Sequence, residues 1–194
     1  MARQIAYDPN TLRENLLSVF WQQGYAETSL SDLEAATGLN RRQLYNGPGD
    51  KLAMFVQAMD DFAERAGREF LGPLEQDGAG IADIVHLLST FVALAAAKDG
   101  PTGCLVCSVS QEEVSQEQAV KRRADAYFER IKAAYENALR RSVARGECDL
   151  TERAISDHAS GLYAAHVALC ILGRAGRPNK ELNAIAENAL KDLV

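Results

Sequence analysis

The sequence predicts an all-α protein made of a small N-terminal helical module and a larger helical body. Three observations carry that expectation. Apolar residues recur at spacings of three and four along most of the chain, strand-like alternation is nearly absent, and glycine- or proline-rich breaks separate the periodic stretches. With 194 residues, 47% of them hydrophobic and 25% charged, the chain can bury a substantial core and is unlike a disordered tail.

Taken in order, Leu12, Leu16, Val19 and Phe20 mark the buried side of an amphipathic helix over roughly residues 9 to 23. It opens at Pro9, whose missing N–H is harmless in a first turn, and stops before Gly24. Ser29 is a good N-cap with Asp32 three positions on, Leu30 and Leu33 form the buried side, and Gly38 suits a helix end. A second short helix follows, capped by Asn40 with Gln43 in the capping-box position and Leu44 turned inward. "TGLN" is the only link between the two, which predicts a helix-turn-helix over roughly residues 29 to 46. "NGPG" then breaks the chain, and Asp50 caps a longer helix expected to reach about Phe70.

Beyond "LGPLEQDGAG", Ile81, Ile84, Val85, Leu88, Phe91 and Val92 define a strongly apolar helix ended by "KDGPTG". Another is expected from Leu105 to about Val114, and a long one from roughly Gln118 to Ala144 carries Ile131, Tyr135 and Leu139. Thr151 caps the next, and a last helix bears Leu182, Ile185, Ala186, Ala189 and Leu193. About nine helices result. Residues 1–65 form the small module and 66–194 the body, joined through a shared helix.

The formal charge of −6 and sequence pI near 5.2 argue against a nonspecific nucleic-acid coat, which needs a broad basic field. Any contact with an acidic polymer must depend on where the cations sit. No apolar run approaches the ~18 residues of a membrane helix, and "MARQIAYDPN" has no signal-like apolar segment, so a cytoplasmic protein with reduced cysteines is expected.

In a helix-turn-helix the second helix enters the major groove with its N-terminal side chains nearest the bases. Asn40, Arg41, Arg42 and Gln43 occupy that end. Arginine pairs bidentately with guanine, and glutamine or asparagine with adenine, so these residue types discriminate bases. Tyr45 and Lys51 suit phosphates, Lys51 standing in the first turn of the next helix, and Thr28 offers a hydroxyl on the other side. Each also has a structural reading: Asn40 and Gln43 as caps, the arginines as solvated charges, Tyr45 as packing. Their joint placement favours double-stranded DNA.

The stretch "LSVFWQQGYAETSLSDLEAATGLNRRQLYNGPGDKLAMF" resembles the DNA-binding region of the TetR family of transcriptional regulators. The matching positions are Phe20, Gly24, Tyr25, Thr28, Ser29, Leu33, Ala36, Gly38, Leu44, Tyr45, Lys51 and Phe55. "GPTGCLVCSV" and "GRAGRPNKELNAIAENAL" are similar to segments in one branch of that family. Gly47-Pro48 stands where members usually carry histidine-phenylalanine or a like pair. The resemblance implies a homodimer on a near-palindromic operator, a C-terminal body that holds a small-molecule effector, and usually repression relieved by that effector.

Other constellations weigh less. Cys104-x-x-Cys107, with His158 or His166, invites a zinc or redox reading, but no second pair and no basic neighbour support it, and small apolar packing is preferred. His86, His158 and His166 lie on apolar helices and are expected to be hydrogen-bonded and partly buried. Phe91, Cys107, Tyr127, Phe128, Tyr163 and His166 are the candidate effector contacts, and no metal or cofactor is expected. The last two helices should pair with their symmetry mates as an isologous four-helix interface. The reading is a DNA-binding regulator and not an enzyme. A thiol- or metal-responsive regulator on the same scaffold is the first alternative and a helical enzyme the second.

Overall fold

The computed structural model describes residues 8–97 and 103–193, and among these every regular element is helical. The expected break "KDGPTG" lies, except for Gly103, outside the described residues. Helix α1 (Pro9–Glu27) is capped by Asp8, which accepts hydrogen bonds from the Thr11 amide and hydroxyl at 3.0 and 2.7 Å. Its regular course breaks at Gly24 (φ 81, ψ −177), where a helix end was expected, and a further turn continues to Glu27. Only glycine occupies that backbone region without strain.

Helices α2 (Leu30–Thr37) and α3 (Arg41–Asn46) each begin with the reciprocal capping box that the sequence suggests, Ser29 with Asp32 and Asn40 with Gln43. Gly38 closes α2 in the left-handed conformation (φ 70), so the chain can turn at once into α3. Leu33, Leu39 and Leu44 seal the pair against Phe20, Tyr25 and Phe55, whose rings pack with centroids 5.0–6.4 Å apart.

Helix α4 (Lys51–Ala66), capped by Asp50, is common to module and body. It does not continue as α-helix to Phe70. At Gly67–Leu71 it widens into a π turn, and α5 (Gly72–Glu75) follows through Pro73 where a break was expected. A proline in the first helical turn has no N–H to leave unpaired, so the helical path survives it.

The body contains α6 (Ile81–Ala96), α7 (Leu105–Val109), α8 (Gln118–Ala144), α9 (Glu152–Arg174) and α10 (Asn179–Leu190). Helix α7 is shorter than expected: Val114 belongs to a separate 3-10 turn at Glu113–Gln116. Ser110 is the reason in part, because its hydroxyl donates back to the Val106 carbonyl at 2.7 Å in the last turn. Leu193 lies past the end of α10 but is still buried. Helix α9 is central, packing against α6, α8 and α10, and Ile155, Ala159, Leu162 and Leu169 line its inner face. His86 is exposed, contrary to expectation, because its position on α6 points away from the Ile84, Leu88 and Phe91 side.

Candidate nucleic-acid interface and ligand cavity

The N-terminal end of α3 projects Arg41, Arg42 and Gln43 into solvent, with Tyr45 49% exposed one turn further on. Among the described residues neither guanidinium has an ion-pair partner. Most other arginines are matched to acids: Arg13 pairs with Asp61, Arg123 with Asp60, Arg130 with Glu75, Arg140 with Glu136 and Glu152, Arg145 with Glu147 and Arg177 with Glu181, while Arg122 is exposed like the α3 pair and Arg141 donates to backbone carbonyls. An acidic protein therefore leaves two adjacent guanidinium groups without an ion pair at the tip of a short helix, where the one acid that reaches in, Glu34, accepts from the backbone amide of Arg41.

Asn40 and Gln43 are engaged with the backbone through their oxygens, Asn40 Oδ1 accepting from the Gln43 amide and Gln43 Oε1 from the Asn40 amide, both at 3.0 Å. Their side-chain NH2 groups stay available as donors. Lys51 opens α4 and holds its ammonium 4.3 Å from the Tyr25 ring centroid, which fixes the charge beside the free amides of that helix start. Thr28 is placed otherwise than expected. It is 1% exposed, and its hydroxyl donates to the Gly24 carbonyl at 2.6 Å, so it braces the kink in α1 instead of facing outward. At "NGPG", the Gly47 and Gly49 amides both reach the Leu44 carbonyl, at 3.3 and 2.9 Å, closing α3 without an aromatic plug.

Where the module meets the body, a cavity of about 610 Å3 opens. Helix α1 supplies Leu17 and Trp21, α4 supplies Phe62, the π turn Phe70, and the body Phe91, Tyr127, His166 and Leu169. Of the expected effector contacts, Phe91, Tyr127 and His166 line this cavity. Cys107, Phe128 and Tyr163 do not: Cys107 is buried behind Cys104 and Cys170, and Phe128 and Tyr163 pack on each other at 6.0 Å. Trp21, Phe62 and Phe70 were not among the expected contacts, because apolar residues on α1 and α4 read as packing for the small module. The π turn that swings Phe70 inward leaves no periodic trace in the sequence.

Charged lining groups stand at the rim. Arg65 and Glu69, 58% and 55% exposed, face each other at 3.6 Å, and Arg65 lies over the Trp21 ring. The depth is neutral. His166 is 2% exposed, and burial pulls its pKa down to about 3, so the ring is uncharged at neutral pH. Its Nδ1 lies 3.1 Å from the hydroxyl of the fully buried Tyr135. A buried hydroxyl that donates to nothing costs about 1–3 kcal/mol, and Tyr135 has no other acceptor among the described residues, so it donates to Nδ1. The proton of the imidazole then sits on Nε2, which has no hydrogen-bond partner among the described residues.

Three thiols gather beside Tyr127. Burial raises the pKa of Cys104 far above that of an ordinary thiol. For Cys107 the contact with Cys104 lowers the pKa, but its contact with Cys170 and burial outweigh that and raise it. Thiols held protonated are poor nucleophiles. Among the described residues no group of three or more His, Cys, Asp or Glu side chains is arranged to hold a metal ion.

Several polar contacts fasten the module to the body around this cavity. Trp21 Nε1 donates to the Gly103 carbonyl at 3.0 Å, and Arg174 donates to the Trp21 and Gln22 carbonyls at 2.8 and 2.7 Å. Glu112 accepts from the Tyr25 and Ala26 amides at 3.2 and 2.6 Å, within the kink at Gly24.

A helix-turn-helix whose second helix starts in solvent, carried on a helical body with a cavity at the seam, is the architecture of a one-component regulator. Known proteins agree. No family model matches the chain. An uncharacterised HTH-type transcriptional regulator of Bacillus subtilis, YezE, is 24% identical over 178 residues, covering 90% of either chain. The HTH-type transcriptional repressor ComR of Escherichia coli is 29% identical over 107 residues, 54% of this chain and 50% of that protein. A cysteine variant of the TetR family regulator CifR, solved with a 26-base-pair operator, superposes with a TM-score of 0.85 at 25% identity, over 97% of this chain and 98% of its own. The chain is a TetR-like, DNA-binding transcriptional regulator.

Proposed function

We propose that the protein is a homodimeric, non-enzymatic repressor that binds a near-palindromic operator and is released when a small molecule occupies the seam cavity. The observation that carries the DNA contact is the pair Arg41 and Arg42, unpaired in a surface where most arginines are matched to acids. In this reading Arg41, Arg42 and Gln43 contact base edges, with Asn40 both capping α3 and offering its NH2. Tyr45 and Lys51 hold phosphates, and Thr28 acts indirectly by setting the entry to α2. The operator complex of CifR and the repressor description of ComR support both the contact and the sign of regulation.

Release follows from linkage. A ligand that binds better to the conformation with wrongly spaced reading heads lowers operator affinity by at most that preference, and operator lowers the affinity for ligand by the same factor. The cavity touches α1 and α4 as well as the body, so its occupant bears directly on the module. The thiol-responsive alternative meets the protonated, buried state of Cys104 and Cys107. Operator affinity should be the same with and without mild oxidant.

The test of the DNA reading is selection of bound fragments from genomic DNA in the cytoplasmic salt range. Enrichment of a near-palindromic sequence is expected. Recovery of fragments without any common sequence would sink it.

A further inference from the structure

The cavity specifies the chemistry of its guest. Its walls are largely aromatic and aliphatic, its charged residues Glu14, Arg65 and Glu69 are exposed at the rim with Arg65 facing Glu69, and its deep polar groups are neutral. A buried carboxylate or ammonium would find no counter-charge there and would lose its hydration. Two deep polar side chains line the wall: the Tyr127 hydroxyl lies against the Cys104 thiol, and His166 offers its Nε2–H, because Tyr135 occupies Nδ1 at 3.1 Å. The ring is held by Phe91, with centroids 4.4 Å apart, so the donor cannot swing away without losing that packing. At about 610 Å3 the space suits a molecule of two or three rings.

We propose that the cavity takes an uncharged, largely aromatic molecule that presents one hydrogen-bond acceptor, of the ketone-carbonyl type, to Nε2–H of His166 while its rings press on Trp21 of the DNA-reading module. This rests on the reading of the protein as an effector-controlled regulator. Trp21 is the transmitting contact: its indole N–H is tied to the Gly103 carbonyl and its own carbonyl to Arg174. A guest that shifts the indole disturbs two of the links that hold α1 to the body.

Trp21 is the single tryptophan of the chain, so its emission reports occupancy directly. Three probes of matched shape separate the terms: benzophenone carries the acceptor, diphenylmethane lacks it, and diphenylacetate adds a negative charge. By calorimetry on the full-length protein, with Trp21 emission recorded in parallel, benzophenone should bind. Diphenylmethane should bind about three- to tenfold more weakly, the ratio expected for one neutral hydrogen bond, and diphenylacetate more weakly again. His166→Leu should abolish the benzophenone preference, whereas His166→Gln should keep it, because the glutamine amide can donate from near the Nε2 position. If His166→Leu does not fold, the pair His166→Leu/Tyr135→Phe removes the orphaned hydroxyl and serves in its place.

Equal affinity for benzophenone and diphenylmethane, tighter binding of diphenylacetate, a preference that survives His166→Leu, or no binding of benzophenone at its solubility limit would each overturn the proposal. Binding of ligand-free protein to its selected genomic fragment, measured on the same preparation, is independent of all four. Its failure alone would reject the regulator reading and leave the ligand chemistry standing.

Discussion

Arg41 and Arg42 differ from most other arginines in having no acidic partner, and their substitution should differ in kind from that of Lys51. Replacing either arginine by alanine removes a group able to read a base edge, with about 1–3 kcal/mol of discrimination lost for each bidentate pair. Selected operator sequences should therefore change at defined positions. Lys51→Ala should instead weaken binding to all sequences alike and reduce the slope of log affinity against log salt by about one. Selection on the variants and salt titrations of operator binding check both. His166 makes a prediction about stability. Its folded pKa of about 3 lies below the ordinary value of 6.5, so the unfolded chain binds the extra proton first on acidification. The stability it contributes is whole above pH 6.5 and declines as pH falls toward 3, by up to about 1.4 kcal/mol per unit. Urea unfolding between pH 7 and 5 should show His166→Gln losing on the order of 2 kcal/mol less than wild type. Residue identity was enough to nominate Arg41, Arg42 and Lys51, because surface charge needs no neighbours to be visible. It could not tell His166, which lines the cavity, from Tyr163 three positions away, since both are polar aromatics on one apolar helix.

Among elements, the kink in α1 is the joint that matters. A Cβ on Gly24 would stand 2.5 Å from Glu112 Oε1, and the backbone there (φ +81) is one that side-chain-bearing residues avoid. Gly24→Ala should cost about 1–3 kcal/mol from backbone strain alone, measured by denaturant unfolding. Glu112→Ala relieves the contact but also takes the acceptor from the Tyr25 and Ala26 amides, so the double variant should be no more stable than Gly24→Ala. The glycine was readable as a helix end. Its acidic partner lies 88 residues away and is tied to it only by folding. The same holds for the π turn at Gly67–Leu71, where a run expected to be ordinary helix to Phe70 changes register and turns Phe70 toward Phe91, 5.4 Å between centroids. The caps at Ser29, Asn40, Asp50 and Thr151 were legible because a cap is a contact between residues three apart.

For the whole molecule, α9 presents Ala164 exposed and Ala168 and Ile171 half-buried on the face opposite its core side, and α10 adds half-buried Ile185 and Ala189. Ala164 and Ala168, four apart, allow helices to approach closely across a two-fold axis, with Ile171 and Ile185 as apolar contacts beside them, which is the interface proposed for the dimer. Ala164→Glu should leave the monomer folded and shift the protein from dimer to monomer in light scattering, with loss of affinity for a two-half-site operator. An unchanged dimer would place the interface elsewhere. Most of the helices, their caps and the exposed N-terminal end of α3 were determined by the sequence alone, because they depend on periodicity and on contacts a few residues long. The seam cavity, the neutral His166 with its proton on Nε2, the inward hydroxyl of Thr28 and the Glu112 clasp on α1 were decided only by tertiary structure. Each is a meeting of residues distant in the chain, and burial, not residue type, sets what those groups can do.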